Sequence, residues 1–425
     1  MSNNLNSEQE LCTFKNKLQA RLEIIKTSQN GVLDISRGRP AKEQLDLSNG
    51  LFEIKEFITE IGLDVRNYGV LDGLPETKVL FEDILNIPKE NIIVGGNSAL
   101  NMIYDCIIRY FMFDDKDNKA WKNYKEIKFL CPVPGYDRHF DILEEFNIKM
   151  ISIQTYEDSI DIELVEELVS KDETIKGIIC VPNHSNPTGV TYNRETLDRL
   201  ANLKPKAKDF KIFCDDAYAV HVIYQENQEN QENQEENNYN LFRACEKFNN
   251  LNSLIYFFST SKITFSGAGI SMLASGQDTL NYIKSHMSKQ TIGHDKVNQH
   301  RITKLLKNKE DTLNHMKKHA DILRPKFDIV LNTLEQELGG TEFLKWNRPK
   351  GGYFVCVYTQ DGFAKKVVKK CYDAGLILTP AGSTYPHMLD PNDNNIRIAP
   401  SFLGEEDLKV AMEIFCICVK LVSVE

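Results

Sequence analysis

Short apolar runs alternate with longer segments of helical periodicity through the first two thirds of the chain. Short apolar runs are typical of buried strands, whereas apolar residues three and four positions apart predict amphipathic helices. The alternation predicts βαβ units, and therefore an α/β fold whose mainly parallel sheet has helices on both faces. The predicted strands are at 92–95, 127–131, 150–154, 177–182, 210–214 and 254–259, and the predicted helices are at 98–113, 162–171 and 194–203.

The last third has a different pattern, which predicts a smaller α+β domain. A long amphipathic helix is expected from Asn298 to about Leu338. We expect an interruption near Arg324 and Pro325, because proline lacks the N–H that an interior helical residue donates. The other predicted elements are a strand at 351–357, a helix at 363–374, a short strand at 396–399 and a closing helix at 405–422.

The domain organisation follows from these two patterns. We predict a large domain at 46–300, a small domain at 301–425, and an N-terminal arm at 1–45 that forms part of the small domain. The segment at 225–240 is built on a repeated Gln-Glu-Asn triplet, which cannot bury enough apolar surface to offset its ordering entropy. We therefore expect a polar surface loop inserted into the large domain.

Composition and charge narrow the range of functions. The chain has 425 residues, 41% of them hydrophobic, and a formal net charge of −10. An acidic surface disfavours nucleic acids and anionic membranes as partners, and no apolar run is long enough to span a bilayer. The N-terminus lacks the features of a signal or transit peptide, and none of the ten cysteines forms a C-x-x-C pair. We expect a cytoplasmic protein without a disulfide framework.

Two segments could bind an anion or a small ligand. Residues 92–100 run from an apolar strand through Gly95 and Gly96 into a helix, which presents N–H groups and the positive end of a helix dipole. The segment lacks the lysine of a P-loop, and a plain strand–turn–helix junction is the alternative. Residues 182–189 follow a strand at the position where open α/β sheets bind ligands, although a simple connecting loop would have the same turn-forming composition.

Two further strands end in side chains that can carry chemistry. Asp215 follows the apolar run 212–214, where it could face a ligand or cap a helix. Lys262 follows the apolar run 256–258 and three hydroxyl residues, and it could be a solvated charge or, in a pocket, an amine that forms a Schiff base. An anion cradle, an asparagine loop, a strand-end Asp and a strand-end Lys together are the parts of a site for pyridoxal 5′-phosphate (PLP).

With these motifs the chain resembles the fold-type I, class I/II aminotransferases, and most of all the type Ic aspartate aminotransferases. The resemblance extends from residues 34–40 to 397–402, with the motifs in the family's order. It implies the PLP-transferase fold type I, with a seven-stranded sheet and a smaller α+β domain. It also implies ping-pong transfer of an amino group between an L-amino acid and a 2-oxo acid, with aspartate and 2-oxoglutarate favoured.

Two alternatives to this function stay open at the level of sequence. One is a PLP enzyme of the same fold that has other substrates or β-lyase activity, since the same Lys, Asp and Tyr would serve it. The other is a PLP-sensing transcription regulator, which would need a DNA-binding domain ahead of the fold. The family match already begins near residue 34, which disfavours the regulator.

The resemblance assigns the residues that hold the cofactor ring. Lys262 matches the lysine that forms the Schiff base and then moves the proton, and Asp215 matches the carboxylate that keeps the pyridine nitrogen protonated. Tyr218 and Asn186 match the two groups that hydrogen-bond the ring O3′, and Tyr136 matches the aromatic stacked on the ring. Lys262, Asp215 and Tyr218 are therefore the expected catalytic residues.

The phosphate and substrate contacts follow from the same resemblance. Arg397 matches the arginine that binds the substrate α-carboxylate. Asn186 is a further expected substrate-binding residue, and Gly38 belongs to the segment that closes over the substrate. Tyr68 matches the tyrosine that reaches the neighbouring subunit's phosphate, which implies a homodimer with shared active sites. The expected phosphate ligands are the backbone N–H groups of Asn97, Ser98 and Ala99 and the hydroxyl of Ser259.

Two parts of the site differ from the family or stay undecided. Most relatives place an arginine on the phosphate shortly after the lysine, but residues 266–270 contain no basic residue. A dicarboxylate substrate needs a second cation, for which Arg37, Arg39, Lys289 and Arg301 are the candidates.

Three histidines near the motifs carry no separate chemistry in this interpretation. His139, His184 and His221 do not have the spacing of metal ligands. We therefore expect no metal site, and only supporting or surface positions for these three side chains.

Overall fold

The computed structural model describes residues 8–28, 31–116, 118–225 and 239–424. Residues 226–238, the main part of the predicted polar insertion, lie outside these ranges. Within them, no helix combines the length and the apolar composition needed to cross a membrane. The first elements are helix α1 (Glu8–Ser28), strand β1 (Leu33–Asp34) and helix α2 (Lys42–Asp46).

The centre of the molecule is a seven-stranded sheet. Its strands are β2 (Ile92–Val94), β3 (Lys128–Val133), β4 (Lys149–Gln154), β5 (Ile175–Cys180), β6 (Lys211–Asp215), β7 (Leu254–Ser259) and β8 (Ser271–Ala274). Their order across the sheet is β2-β8-β7-β6-β5-β3-β4, and β8 runs antiparallel to both of its neighbours while the other pairs are parallel. The predicted α/β fold with a mainly parallel sheet is confirmed, and β8 is an addition that the apolar pattern does not predict.

The side chains of each central strand alternate between two apolar layers. In β6, Ile212 and Cys214 pack into one layer and Phe213 into the other. A parallel strand that is buried on both faces has a continuous apolar sequence, which is why these strands are predictable. The helices of this part are α3 (Pro75–Leu85), α4 (Ala99–Met112), α5 (Asp137–Glu145), α6 (Ile162–Lys171), α7 (Arg194–Ala201), α8 (Leu241–Lys247) and α9 (Gln277–Gln290).

Side-chain caps fix where several of these helices begin. Asp161 accepts a hydrogen bond from the N–H of Leu164 at the start of α6, and Asn193 accepts one from the N–H of Thr196 at the start of α7. Such caps satisfy N–H groups that have no partner inside the helix. Both helices begin at the residues that the sequence predicts.

The C-terminal third forms a second hydrophobic core. The elements of this third are α10 (Lys296–Leu306), α11 (Lys309–Leu338), β9 (Leu344–Trp346), β10 (Val355–Thr359), α12 (Ala364–Asp373), β11 (Leu376–Ile377), β12 (Asn395–Ile398) and α13 (Glu405–Ser423). Ile302 and Leu306 of α10 pack into a layer beside the large sheet instead. β10 pairs antiparallel with β12 and β9, and β11 pairs in parallel with β1. Leu18 and Leu22 of α1 lie in this core, so the N-terminal arm packs here. The domain boundaries at 45 and 300 stay a prediction.

The break in the long C-terminal helix lies elsewhere than the sequence predicts. The expected interruption near Arg324 and Pro325 is wrong, because α11 continues through both residues. The break falls between α10 and α11, where Lys307 has a φ of 37° and the Asn308 side chain accepts a hydrogen bond from the N–H of Asp311. Several apolar side chains of α11 are buried. At about 1.5–3 kcal/mol each, they outweigh the roughly 3 kcal/mol that an interior proline costs.

Candidate active site

A cleft of about 300 Å³ opens at the carboxyl ends of the parallel strands. This is the edge where open α/β sheets bind ligands. Every predicted site residue except Asn97 and Tyr68 lines it. Its walls contain Gly38, Ser98, Ala99, Tyr136, Asn186, Asp215, Tyr218, Ser259, Lys262 and Arg397, together with Arg37, Arg39, Leu100, Asp137, Arg138, Val181, Ala217, Ser261 and Phe354.

Asp215 ends β6 and is almost completely buried, with 6% of its surface exposed. Its Oδ2 lies 3.0 Å from Nε2 of His139. Its Oδ1 is buried and has no hydrogen-bond partner among the described residues. A buried carboxylate oxygen without a donor is unfavourable by roughly 1–3 kcal/mol or more, so this oxygen suits a ligand that brings a proton.

Lys262 lies beside two buried tyrosines. Its Nζ is 4.9 Å from the ring centre of Tyr218 and 5.8 Å from that of Tyr353. Burial raises the pKa of Tyr218 well above its ordinary value, so its phenol stays protonated at neutral pH and can donate a hydrogen bond. Burial likewise raises the pKa of Tyr136 to about 12. The lysine therefore faces neutral aromatic side chains.

The start of α4 forms an anion cradle at one end of the cleft. Ser98 occupies the N-cap position, and its side chain does not cap the helix. The first N–H groups of α4 are thereby left to a ligand, at the positive end of the helix dipole. Asn97 lies outside the cleft wall. Its backbone oxygen accepts a hydrogen bond from Ser261 Oγ at 3.2 Å, and its side-chain Nδ2 donates to the backbone oxygen of Gly267 at 3.3 Å.

The loop that lacks the family's arginine is held by amide side chains. Asn298 Nδ2 lies 2.5 Å from the Ala268 oxygen and 3.0 Å from the Gly269 oxygen. A Cβ at Gly269 would lie 3.0 Å from Thr260 Oγ1, so the loop packs closely on the turn before Lys262. Amide–carbonyl contacts therefore hold this loop, and the α4 N-terminus presents a positive dipole end to the cradle.

Arg397 of β12 is buried, with 4% of its surface exposed. Its Nη1 donates to Asn186 Oδ1 and to Asp137 Oδ1, both at 3.1 Å, and its guanidinium lies 4.9 Å from the Phe354 ring centre. The Nε donates to Thr379 Oγ1 at 3.3 Å. The arginine is thus rigidly oriented, and a carboxylate of the protein already contacts it.

The four candidates for a second cation lie in different places. Arg37 and Arg39 line the cleft, whereas Lys289 and Arg301 do not. Arg39 pairs with Asp34 at 3.0 Å and lies 4.1 Å from the ring centre of Phe402. Arg37 is exposed and has no ion-pair partner in the described part of the chain. Of the two candidates that line the cleft, Arg37 is therefore the one without an ion-pair partner among the described residues.

Two contacts at the cleft are not found by sequence reasoning. His139 contacts Asp215, and Asp137 contacts Arg397. Both lie in the first turn of α5, just after Tyr136, and that position is the signal that could have found them. His184 and His221 are also buried, so none of the three histidines is a surface residue. Among the described residues no His, Cys, Asp and Glu cluster could hold a metal ion.

The chain is similar to known aspartate aminotransferases over nearly its whole length. A model of the aspartate amino-transferase family matches residues 6–425. The chain is 37% identical to the aspartate aminotransferase of Corynebacterium glutamicum over 416 residues, which cover 97% of this chain and 94% of that protein.

Solved structures agree with this match. The crystal structure of an aspartate transaminase from Corynebacterium glutamicum has a TM-score of 0.92 at 36% identity, and the two cover 98% and 97% of each other. The α-aminoadipate aminotransferase of Thermus thermophilus, solved with N-(5′-phosphopyridoxyl)-L-leucine, has a TM-score of 0.74 at 17% identity over 93% of this chain and 94% of that one, which shows a shared fold. The chain therefore belongs to the aspartate aminotransferase family.

Proposed function

We propose that this chain uses PLP to transfer the amino group of aspartate to 2-oxoglutarate. The observation that carries the proposal is a single cleft that contains Lys262, a buried Asp215 oxygen with no described partner, and, among its arginines, Arg37 and Arg397. Aminotransferase chemistry comes with the family, and the substrate pair and the roles of individual residues are the proposal.

The residues of the cleft fit PLP. The free Oδ1 of Asp215 suits the pyridine nitrogen, and a buried anion at that position favours the protonated ring. The N–H groups at Ser98 and Ala99, with the Ser259 hydroxyl, suit the phosphate. When bound, PLP supplies an electron sink for the charge that develops on the substrate Cα.

Lys262 is the residue that we assign to cofactor attachment and proton transfer. Its Nζ lies over the Tyr218 ring, and the neutral form of a lysine amine is a nucleophile and a base. We assign to Nζ the removal of the proton from the substrate Cα. Tyr218 and Asn186 line the same cleft, which supports their assignment as the two groups that hydrogen-bond the ring oxygen.

Arg397 is assigned to the substrate α-carboxylate. Its planar guanidinium can hold a carboxylate with two parallel hydrogen bonds. The contact of Nη1 with Asp137 Oδ1 places an anion of the protein next to this position. An incoming carboxylate therefore competes with Asp137 for the arginine, and the side chain of Asp137 must move or share the donor.

Arg37 is assigned to the distal carboxylate of aspartate. It is the cleft candidate without an ion-pair partner in the described ranges, whereas Arg39 is held by Asp34 and Phe402. A charged contact of this kind distinguishes a dicarboxylate from alanine or an aromatic amino acid. Gly38, between the two arginines, keeps the segment against Phe354, since a Cβ there would lie 2.6 Å from Phe354 Cζ.

We also propose a homodimer in which Tyr68 contacts the partner's phosphate site. Tyr68 is 82% exposed, and Phe52, Ile61 and Ile292 are more than half exposed. Tyr68 lies near Ile292, because a Cβ at Gly293 would be 2.6 Å from the Gly69 oxygen. Such exposed apolar side chains are typical of an interaction surface.

A reducing compartment is part of the proposal, and we place the enzyme in the cytoplasm. The ten cysteines are free thiols, and all but Cys12 are buried. Free buried thiols are ordinary in cytoplasmic proteins, where disulfides are rare.

The experiment that tests the proposed function is a half-reaction with different amino donors. The purified protein is loaded with PLP, and its visible absorbance is followed during titration with aspartate, glutamate, alanine and phenylalanine. Aspartate is expected to convert the cofactor at the lowest concentration, with 2-oxoglutarate restoring the starting spectrum. Conversion by alanine or phenylalanine at lower concentrations than aspartate would contradict the substrate assignment.

A further inference from the structure

The backbone carbonyl that follows Lys262 is held by two histidines from a distant part of the chain. His315 Nε2 lies 2.8 Å and His319 Nε2 lies 3.0 Å from the oxygen of Ile263. The two histidines are four residues apart on α11, so they lie on the same face of that helix. Helix α11 therefore contacts the backbone that carries the lysine.

Within the turn that carries Lys262, residues 260–264, no backbone N–H donates to the Ile263 carbonyl. The N–H groups of Ile263 and Thr264 both donate to the oxygen of Thr260, and Ile263 is fully buried. A buried carbonyl without a donor is unfavourable. The imidazoles of the two histidines are the groups that contact it, with their Nε2 atoms 3.2 Å apart, and they thereby fix the position of the turn relative to α11.

The surrounding hydrogen bonds assign the protonation of His319. The N–H of Ala41 donates to Gln44 Oε1 at 3.0 Å, so Gln44 Nε2 faces His319 Nδ1 at 3.2 Å and the Tyr353 hydroxyl at 2.9 Å. Nδ1 then accepts from Gln44, and Nε2 carries the proton that it donates to Ile263. Burial lowers the pKa of His319 to about 4, which keeps this neutral form at neutral pH.

The same network reaches residues 37–39, the cleft segment, which lines the substrate cleft. Gln44 lies in α2, which directly follows the segment around Gly38. A Cβ at Gly38 would lie 2.6 Å from Phe354 Cζ and 3.2 Å from Tyr353 Cβ, so the segment packs on Tyr353 and Phe354. Tyr353 is also the residue whose hydroxyl Gln44 contacts. The cleft segment and the lysine turn are thus joined through one buried set of polar side chains.

We propose that His315 and His319 are positioning residues for Lys262, which hold the Ile263 carbonyl on α11, and that Gln44 and Tyr353 join this contact to the cleft segment. The proposal rests on the proposed function of Lys262. Neither histidine lines the cleft, so they act on the reaction through the position of the lysine turn.

The test compares substitutions that remove or keep the donors. The double variant His315→Leu/His319→Leu removes both imidazoles, whereas His315→Gln/His319→Gln keeps a side-chain N–H at a similar distance along the side chain. His300→Leu is the matched control, because His300 is a buried histidine of α10 that contacts neither Ile263 nor the cleft. If the double leucine variant does not fold, His319→Leu takes its place.

The first readout needs no cofactor. The protein without PLP is treated with acetic anhydride at several pH values, and mass spectrometry gives the rate of acetylation of each lysine. We expect Lys262 to react about threefold faster or more in the leucine variant, because the released turn exposes its amine. The glutamine variant and His300→Leu are expected to label Lys262 at the wild-type rate.

The second readout uses the PLP-loaded protein. We expect the leucine variant to lower kcat about tenfold and to shift the pH dependence of the cofactor absorbance, while KM for aspartate changes less than about twofold. The glutamine variant should recover most of kcat. An unchanged labelling rate and an unchanged absorbance profile in a folded leucine variant would overturn the proposal. A wild-type protein that binds no PLP would overturn the proposed function, while the labelling result would still decide the positioning role.

Discussion

The inner end of the cleft, around Asp215, and its mouth, around Arg37, are built in different ways. Asp215 ends β6 and Lys262 follows its parallel neighbour β7, and Asp215 is buried and held by His139. Arg37 lies on an irregular segment, exposed and without an ion-pair partner in the described chain. Under the proposed function, the sheet fixes the reacting groups before a substrate arrives, whereas substrate specificity depends on a few charges at the mouth.

Lys262→Ala is the change that affects the inner end most. We expect kcat to fall by at least about 10⁴-fold, because both the attachment of the cofactor and the proton transfer are lost. Steady-state assays with aspartate and 2-oxoglutarate measure this, with circular dichroism as a check of the fold. A folded variant that keeps a tenth of the wild-type turnover would show that another group moves the proton.

Asp215→Asn separates the ring contact from strand packing. We expect kcat to fall about 100-fold, because a neutral amide does not favour a protonated ring nitrogen. Asp216→Asn is the matched control: Asp216 is equally buried but is held by Asn183 and Tyr256 and lies outside the cleft wall. Equal losses of kcat in the two variants would assign the effect to damage of β6.

Arg37→Gln tests the mouth. We expect kcat/KM for aspartate to fall about tenfold, because a charge-assisted hydrogen bond is lost, while kcat/KM for alanine stays nearly constant. Arg39→Gln, in the same segment, is expected to change both values about twofold at most, since its charge is engaged by Asp34. If Arg39→Gln lost the preference for aspartate and Arg37→Gln kept it, the assignment of the distal carboxylate would be reversed.

Asp137→Asn is expected to have the smallest effect. Removing the anion next to Arg397 should lower KM for aspartate about threefold with little change in kcat, because the substrate carboxylate no longer competes for Nη1. Steady-state kinetics at constant ionic strength measure both values. A raised KM would indicate instead that Asp137 orients the arginine for the substrate.

The two regions also differ in how far the sequence predicts them. The parallel strands are predictable because burial on both faces requires continuous apolar runs, and Asp215 and Lys262 are recognisable as polar residues that end or follow them. Helix α5 is polar on its exposed face, and the contact of its His139 with Asp215 joins residues 76 positions apart. Such contacts depend on tertiary packing, which no local pattern contains.

The same limit explains the wrong break in the C-terminal helix. Pro325 has the local signature of a helix end, but α11 is buried against the second core on both sides of it. The sequence likewise does not predict the contacts of the Ile263 carbonyl, since His315 and His319 belong to no motif and are 52 and 56 residues away in sequence. The local sequence predicts which side chains lie at the end of a strand, whereas tertiary packing determines which residues contact them.

The central claim is that Lys262 carries the cofactor. The most direct measurement is to load the protein with PLP, reduce it with borohydride, digest it and locate the pyridoxyl group by mass spectrometry. We predict one modified lysine, Lys262, and no modified peptide from the Lys262→Ala variant. A pyridoxyl group on a different lysine, or equal labelling in the variant, would contradict the claim.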